Sequence, residues 1–170
     1  MLSPAELTAW LRLGTTPGIG RASARKLLAA LGSAERVLAA DEATLLSLTG
    51  HDVVQVLKRR DAGDDARLAT TQRWLDADAD APRDIVTLGD PRYPALLLET
   101  ADPPLLLFTL GRVELLSAPS VAVVGSREAT PQGIENARLF ARFLSARGLT
   151  IVSGLARGID AAAHEGGLEG

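Results

Sequence analysis

The sequence predicts an α/β protein in two parts, a small helical domain over residues 1–80 and a parallel-sheet domain over residues 81–170. Three observations carry this. Residues 1–80 hold apolar side chains at helical spacing, punctuated by capping residues and glycines. Residues 76–84, DADADAPRD, would make a poor core and read as a linker. Residues 120–170 run apolar stretch, amphipathic stretch, apolar stretch, amphipathic stretch, the pattern of strands joined by crossover helices.

In the first part, Leu7, Trp10, Leu11 and Leu13 form an apolar stripe. Arg21–Leu31 follows as a helix and Gly32 ends it. Ser33 reads as the N-cap of Ala34–Ala40, with Arg36 where a capping-box acid would stand. Asp41 reads as the cap of Glu42–Leu48. Asp52–Arg60 is amphipathic, and Ala66–Leu75 continues or follows it. Short helices on short connections imply a small bundle.

After the linker, Ile85-Val86-Thr87 and Leu105–Leu110 read as strands, separated by a turn-rich run and Pro103-Pro104. Val121–Val124 is continuously apolar, as a strand buried on both faces would be. Thr130-Pro131 is a helix start, and Gly148 ends a helix reaching about Arg147. Its inner face is expected to hold Ile134, Ala137, Ala141 and Leu144 with Phe140 beside them. Thr150–Ser153 is the next strand. The spacing suits the roughly 30 residues of a βαβ unit and makes the second part Rossmann-like. Two parallel strands, joined at most by Ile85–Thr87 and Leu105–Leu110, leave apolar faces poorly covered, so this sheet reads as truncated.

Bulk chemistry narrows the function classes. There is no cysteine, which excludes disulfides, thiolate metal sites and cysteine nucleophiles; no metal or cofactor is expected. No apolar run reaches the length of a membrane span, and MLSPAELTAW is no secretory signal, so the expected compartment is the cytoplasm. The net charge of −3 does not advertise nucleic-acid binding. Yet all the basic residues except Lys26 and Lys58 are arginines, whose planar fork matches phosphate. A GC-rich genome would produce the same bias.

Two constellations bear on chemistry. Pro17-Gly18-Ile19-Gly20 precedes the helix at Arg21, as in helix–hairpin–helix or SAM-like modules that hold a phosphate on helix N–H groups. Gly18, Gly20, Arg21 and Arg25 are secondary DNA-contact candidates there; the alternative is a turn that only packs helices or docks a protein. The second hairpin, Thr49-Gly50-His51-Asp52, lacks the second glycine, and His51 reads as a surface residue. The stronger constellation lies at the strand ends, where open α/β sheets bind ligands. Gly125 would let a phosphate approach the backbone, Ser126 would add a hydroxyl and an N–H, and Arg127 a bidentate contact. Gly154 and Gly158 keep the second turn low, and Arg157 offers a weaker anion contact. Asp160 reads as the N-cap of Ala161–Leu168, and His164, one turn on, as a packing or Asp-paired residue.

Several enzyme classes fail on these residues. The turn GSREATPQG is not G-x-G-x-x-G, and the second strand closes on Ser153-Gly154 without a ribose-binding acid. The P-loop and the G-x-S-x-G elbow are both missing. What remains is a Rossmann-like nucleotide phosphoribohydrolase with Glu128 or Asp160 as base.

VAVVGSREATPQG followed by TIVSGLARGIDAAAHEGGL resembles the DprA/Smf family of DNA-processing proteins, through its G-S-R turn and S-G-x-A-x-G-I-D segment. Asp90–Pro94, Asp102–Leu107 and Pro17–Gly20 resemble it too. The resemblance implies an extended Rossmann fold and a dimer without known catalysis. It further implies single-stranded-DNA binding that protects incoming DNA and helps load the RecA recombinase in natural transformation. By matched position it assigns phosphate binding to Gly125, Ser126 and Arg127, supported by the turn of Gly154 and Gly158. Family members run on well past the S-G-x-A-x-G-I-D segment, whereas this sequence stops at Gly170, in keeping with a fragment.

Overall fold

Each helix of the N-terminal region begins where a short polar side chain or a glycine can satisfy or leave open the first-turn N–H groups. The computed structural model describes residues 2–59, 63–77 and 81–170. Helix α1 (Pro4–Thr15) opens on a capping box, Ser3 accepting from the Glu6 N–H and Glu6 from the Ser3 N–H. Helix α2 (Arg21–Leu31) ends on Gly32 at φ +85°. Ser33 caps α3 (Ala34–Ala39) and Asp41 caps α4 (Glu42–Leu48), both as their sequences predict. Helices α5 (His51–Lys58) and α6 (Asp64–Leu75) complete the bundle. Arg60 and most of the DADAD stretch lie outside the described residues.

Leu13, Leu27, Val37, Leu45 and Val54 are fully buried and form the centre of the helical core. Val37→Ala is expected to lower the stability of this region by about 2 kcal/mol. Trp10 packs against the same cluster, so tryptophan fluorescence during urea unfolding reads the loss directly.

Strand β1 (Arg83–Thr87) takes in the last two residues of the expected linker, and pairs antiparallel with β2 (Leu106–Leu110) in the register Ile85↔Phe108. Between them lies a single helical turn, α7 (Ala95–Leu98). This hairpin does not join the parallel sheet; the two sheets are separate two-stranded units. Its apolar residues go to the helices instead. Leu105 sits in the helical core, and Ile85 packs with Leu7 and Leu11. By compactness the chain therefore divides into Met1–Val113 and Glu114–Gly170, and the hairpin falls in the first unit.

The second unit is β3 (Ser120–Ala122), α8 (Pro131–Ser145), β4 (Thr150–Val152) and α9 (Ile159–Glu169). Strands β3 and β4 pair in parallel, Val121 beside Ile151. Thr130 accepts from the Gly133 N–H, and Pro131 takes the first helical position. Helices α8 and α9 meet through small residues: Ala137, Ala141, Ala162 and Ala163 are buried. A Cβ on Gly166 would stand 2.1 Å from the Arg138 carbonyl oxygen, so the helices touch backbone to backbone. Both helices also pack on β4 and so lie over one sheet face. The opposite face is open, with Val124 73% exposed. Val121–Val124 is thus not buried on both faces: an apolar run fixes a strand's character but not how many layers cover it. Phe140 and Ile134 likewise lie exposed on α8, whereas Ala137 and Ala141 are buried and the Arg138 backbone abuts Gly166 of α9.

Candidate functional site

Parallel pairing brings the turns after β3 and β4 to one edge of the sheet, at the carboxyl ends of the strands. Pairing extends one step past the strands, since the Val123 N–H donates to the Val152 carbonyl (2.9 Å) and the Ser153 hydroxyl to the Val123 carbonyl (2.7 Å). The turns then meet. The Ile159 N–H donates to the Ser126 carbonyl at 3.1 Å. Gly158 has φ +83°, and a Cβ there would lie 2.3 Å from the Ser126 oxygen. A Cβ on Gly125 would lie 2.7 Å from Ile159 Cγ1. The close approaches that demand these two glycines are therefore made by the opposite turn.

The first turn exposes polar groups. Gly125, Ser126 and Arg127 are exposed, and among the described residues no acceptor meets their backbone N–H groups. The Ser126 hydroxyl accepts from the Glu128 N–H (3.1 Å), which folds the turn onto itself. Arg127 has no ion-pair or hydrogen-bond partner among the described residues. Arg157 reaches Glu128 at 3.4 Å in a pair exposed on both sides, an interaction that a phosphate would easily displace. Among the described residues the turn thus offers three successive unmet N–H donors and one unengaged guanidinium, which suits an oxyanion.

Asp160 is not the N-cap of α9. The helix starts at Ile159, and Gly158 holds the cap position without a side-chain bond. Asp160, only 7% exposed, reaches back instead to accept from the Gly154 N–H at 3.0 Å, with its Oδ2 2.9 Å from where a Gly154 Cβ would be. It fixes the second turn from inside. An acid two residues past a glycine, heading a helix of alanines, is the signal that could have revealed this. His164 is not bonded to Asp160; it packs half-buried, with Nε2 meeting no partner among the described residues.

Leu155 was not singled out by the sequence. It has φ +56°, the left-handed region, and its side chain is 81% exposed. Every other positive-φ position among the described residues is a glycine. For a leucine this backbone costs about 1 kcal/mol.

The N-terminal constellation is arranged differently from its phosphate-binding reading. Pro17-Gly18 turns with Gly18 at φ +93°, and the Ile19 N–H closes on the Thr16 carbonyl (3.2 Å). Gly20 caps α2 in open space. Arg21 and Arg25, however, both bind Asp102, at 3.1 and 2.5 Å, and Arg25 also donates to the Pro103 carbonyl. The Arg25 hydrogen bond, helped by both positive charges, holds the Asp102 carboxyl below its ordinary range. Lys26 turns elsewhere, into an open cleft of about 400 Å³ with Ser23, Ser47, Thr49 and Gly50.

Among the described residues no three His, Asp or Glu side chains gather as a metal site, and no helix is long and apolar enough to cross a membrane. Residues 84–170 match the family model of DNA recombination-mediator protein A. Protein Smf of Escherichia coli K12 is 48% identical over 77 residues, 45% of this chain and 21% of that protein. DNA processing protein DprA of Streptococcus pneumoniae is 48% identical over 80 residues, 47% of this chain and 28% of that protein. The X-ray structure of DprA from Streptococcus pneumoniae superposes with a TM-score of 0.68 and 28% identity, over 99% of this chain and 54% of that one. The chain thus spans about half of the DprA chain whose fold it shares. With the family model covering just over half of its length, including both strand-end turns, the chain belongs to the DprA/Smf family of DNA recombination-mediator proteins.

Proposed function

We propose that this protein binds single-stranded DNA through the backbone N–H groups and Arg127 of the 125–127 turn, and acts as a recombination mediator rather than an enzyme. The observation that carries this is the paired strand-end turns, where among the described residues no acceptor meets the N–H groups of Gly125, Ser126 and Arg127 and no partner engages the Arg127 guanidinium. Such a surface grips phosphate without reading sequence. Arg157 extends it once Glu128 is displaced; Gly154 and Gly158 set the height of the second turn. In the whole protein the reading extends to protection of incoming DNA, loading of the RecA recombinase during natural transformation, a homodimer and a cytoplasmic setting. Residues 81–170 serve as the DNA-binding module, in keeping with a family match that begins at residue 84. Residues 1–80 then act as a docking or auxiliary module, because any DNA contact by Arg21 and Arg25 requires them to leave Asp102.

The phosphoribohydrolase alternative needs a carboxylate free to act as base. Glu128 stands in solvent against Arg157, and Asp160 is committed to the Gly154 N–H. Neither arrangement favours that chemistry.

Arg127→Ala is expected to weaken binding of a fluorescent single-stranded oligonucleotide by about tenfold, with the melting temperature unchanged because the side chain is exposed. Affinity should also fall with salt, on a shallow slope because only Arg127 and Arg157 are placed to neutralise phosphates. Equal affinity of mutant and wild type would sink the assigned site. Release of a free base from a nucleoside monophosphate would favour the enzyme.

A further inference from the structure

We infer that Leu155 is the nonpolar half of the nucleic-acid site, a shelf for a nucleobase of the strand whose phosphate lies on the 125–127 turn. The inference rests on that phosphate reading and adds to it what the site does with the rest of a nucleotide. The observation is a conflict within one residue. Leu155 holds a left-handed backbone at φ +56°, where every comparable position among the described residues is glycine, and yet its side chain is 81% exposed. A glycine there would relieve the backbone, and an exposed leucine contributes nothing to a core. Strain kept together with an unburied apolar group points to a ligand.

Geometry gives the ligand its class. Leu155 follows Gly154, whose N–H is clamped by Asp160, and it precedes Gly158, which presses on Ser126 and Arg127. The left-handed turn takes the side chain out of the strand's pleat alternation, and it is held there by a turn fixed at both ends. The shelf therefore stands on a fixed turn whose far end, Gly158-Ile159, lies against Ser126 of the first turn. A nucleic acid strand offers an anion and an apolar plane at adjacent positions, repeated along its length. A leucine accepts any base face and forms no hydrogen bond to its edge, so the contact is indifferent to sequence.

The test compares the full chain binding two probes, a short oligothymidine and an abasic strand of equal length and phosphate count, by fluorescence anisotropy. Wild type is expected to prefer oligothymidine by roughly fivefold. Leu155→Gly and Leu155→Asn, both tolerant of positive φ, should bring that ratio near one while leaving abasic binding unchanged. Arg127→Ala should weaken both probes and preserve the ratio. Loss of the Arg127 effect with the ratio still dependent on Leu155 would remove the phosphate assignment and keep the shelf. A wild type indifferent to the bases, or a Leu155→Gly variant that keeps the preference, overturns the shelf and keeps the phosphate site. Binding of neither probe overturns both. Leu155→Gly is also expected to melt at or above the wild-type temperature; a clear fall would mean that leucine packs within the protein, and would overturn the inference as well.

Discussion

Gly158→Ala is expected to destabilise the second unit by about 4 kcal/mol. Two penalties add. The residue sits at φ +83°, where alanine is strained by about 1 kcal/mol, and the new Cβ would enter 2.3 Å from the Ser126 oxygen and 2.9 Å from the Arg127 carbonyl. Both obstacles are backbone, so no side chain can swing aside. Gly148 isolates the first penalty, since it has φ +82° and nothing within 4 Å of its Cβ position. Gly148→Ala should therefore lose only about 1 kcal/mol. The two tryptophans and the one tyrosine, Trp10, Trp74 and Tyr93, all lie before Val113. Aromatic fluorescence thus follows the first unit, while far-UV circular dichroism and amide hydrogen exchange see the second. A Gly158→Ala variant losing no more than Gly148→Ala would show that the two turns are not in contact.

The second large effect lies between the helices. Gly166→Ala places a Cβ 2.1 Å from the Arg138 oxygen and 2.8 Å from its carbonyl carbon, across the α8–α9 contact. The expected loss is about 3 kcal/mol, although alanine is favoured over glycine within a helix by up to about 1 kcal/mol. Gly133, in the first turn of α8, is the counter-case. Its Cβ would approach no closer than 3.3 Å, to the Thr130 hydroxyl, so Gly133→Ala should be neutral or slightly stabilising. Opposite signs for one substitution on two touching helices, read by denaturant melting, would establish that backbone contact and not propensity decides at Gly166.

Local chemistry was legible in the sequence wherever a feature is settled within a few residues. Ser33, Asp41 and Thr130 cap the helices they precede, and Gly32 and Gly148 take positive φ. The strand-end position of Gly125-Ser126-Arg127 followed from the strand–helix–strand spacing. What escaped depends on partners far along the chain. Arg21 and Arg25 read as open to phosphate until Asp102 arrives from some eighty positions away. Gly125 read as space for a ligand, and Ile159 fills it. Asp160 read as a cap because a cap is the commonest use of an acid at a helix start. Its real partner, the Gly154 N–H, is reached only because the second turn doubles back. The hairpin of β1 and β2 was legible as strands but not as a separate sheet, since apolar content says nothing about which core it joins.

The backbone contact between Gly158 and Ser126 has a consequence for binding thermodynamics. Two turns held together by a hydrogen bond, a glycine contact and the Asp160 clamp have little conformational freedom left to lose. For the binding proposed above, the protein has little left to order there, so the ordering entropy of association falls mainly on the partner. For a single strand, that term is set by how strongly its own bases stack, and a stiff, stacked strand gives up more than a flexible one to lie across fixed donors. On the proposed reading, selectivity at such a site would follow the suppleness of the ligand, with no residue of the protein needed to read a base.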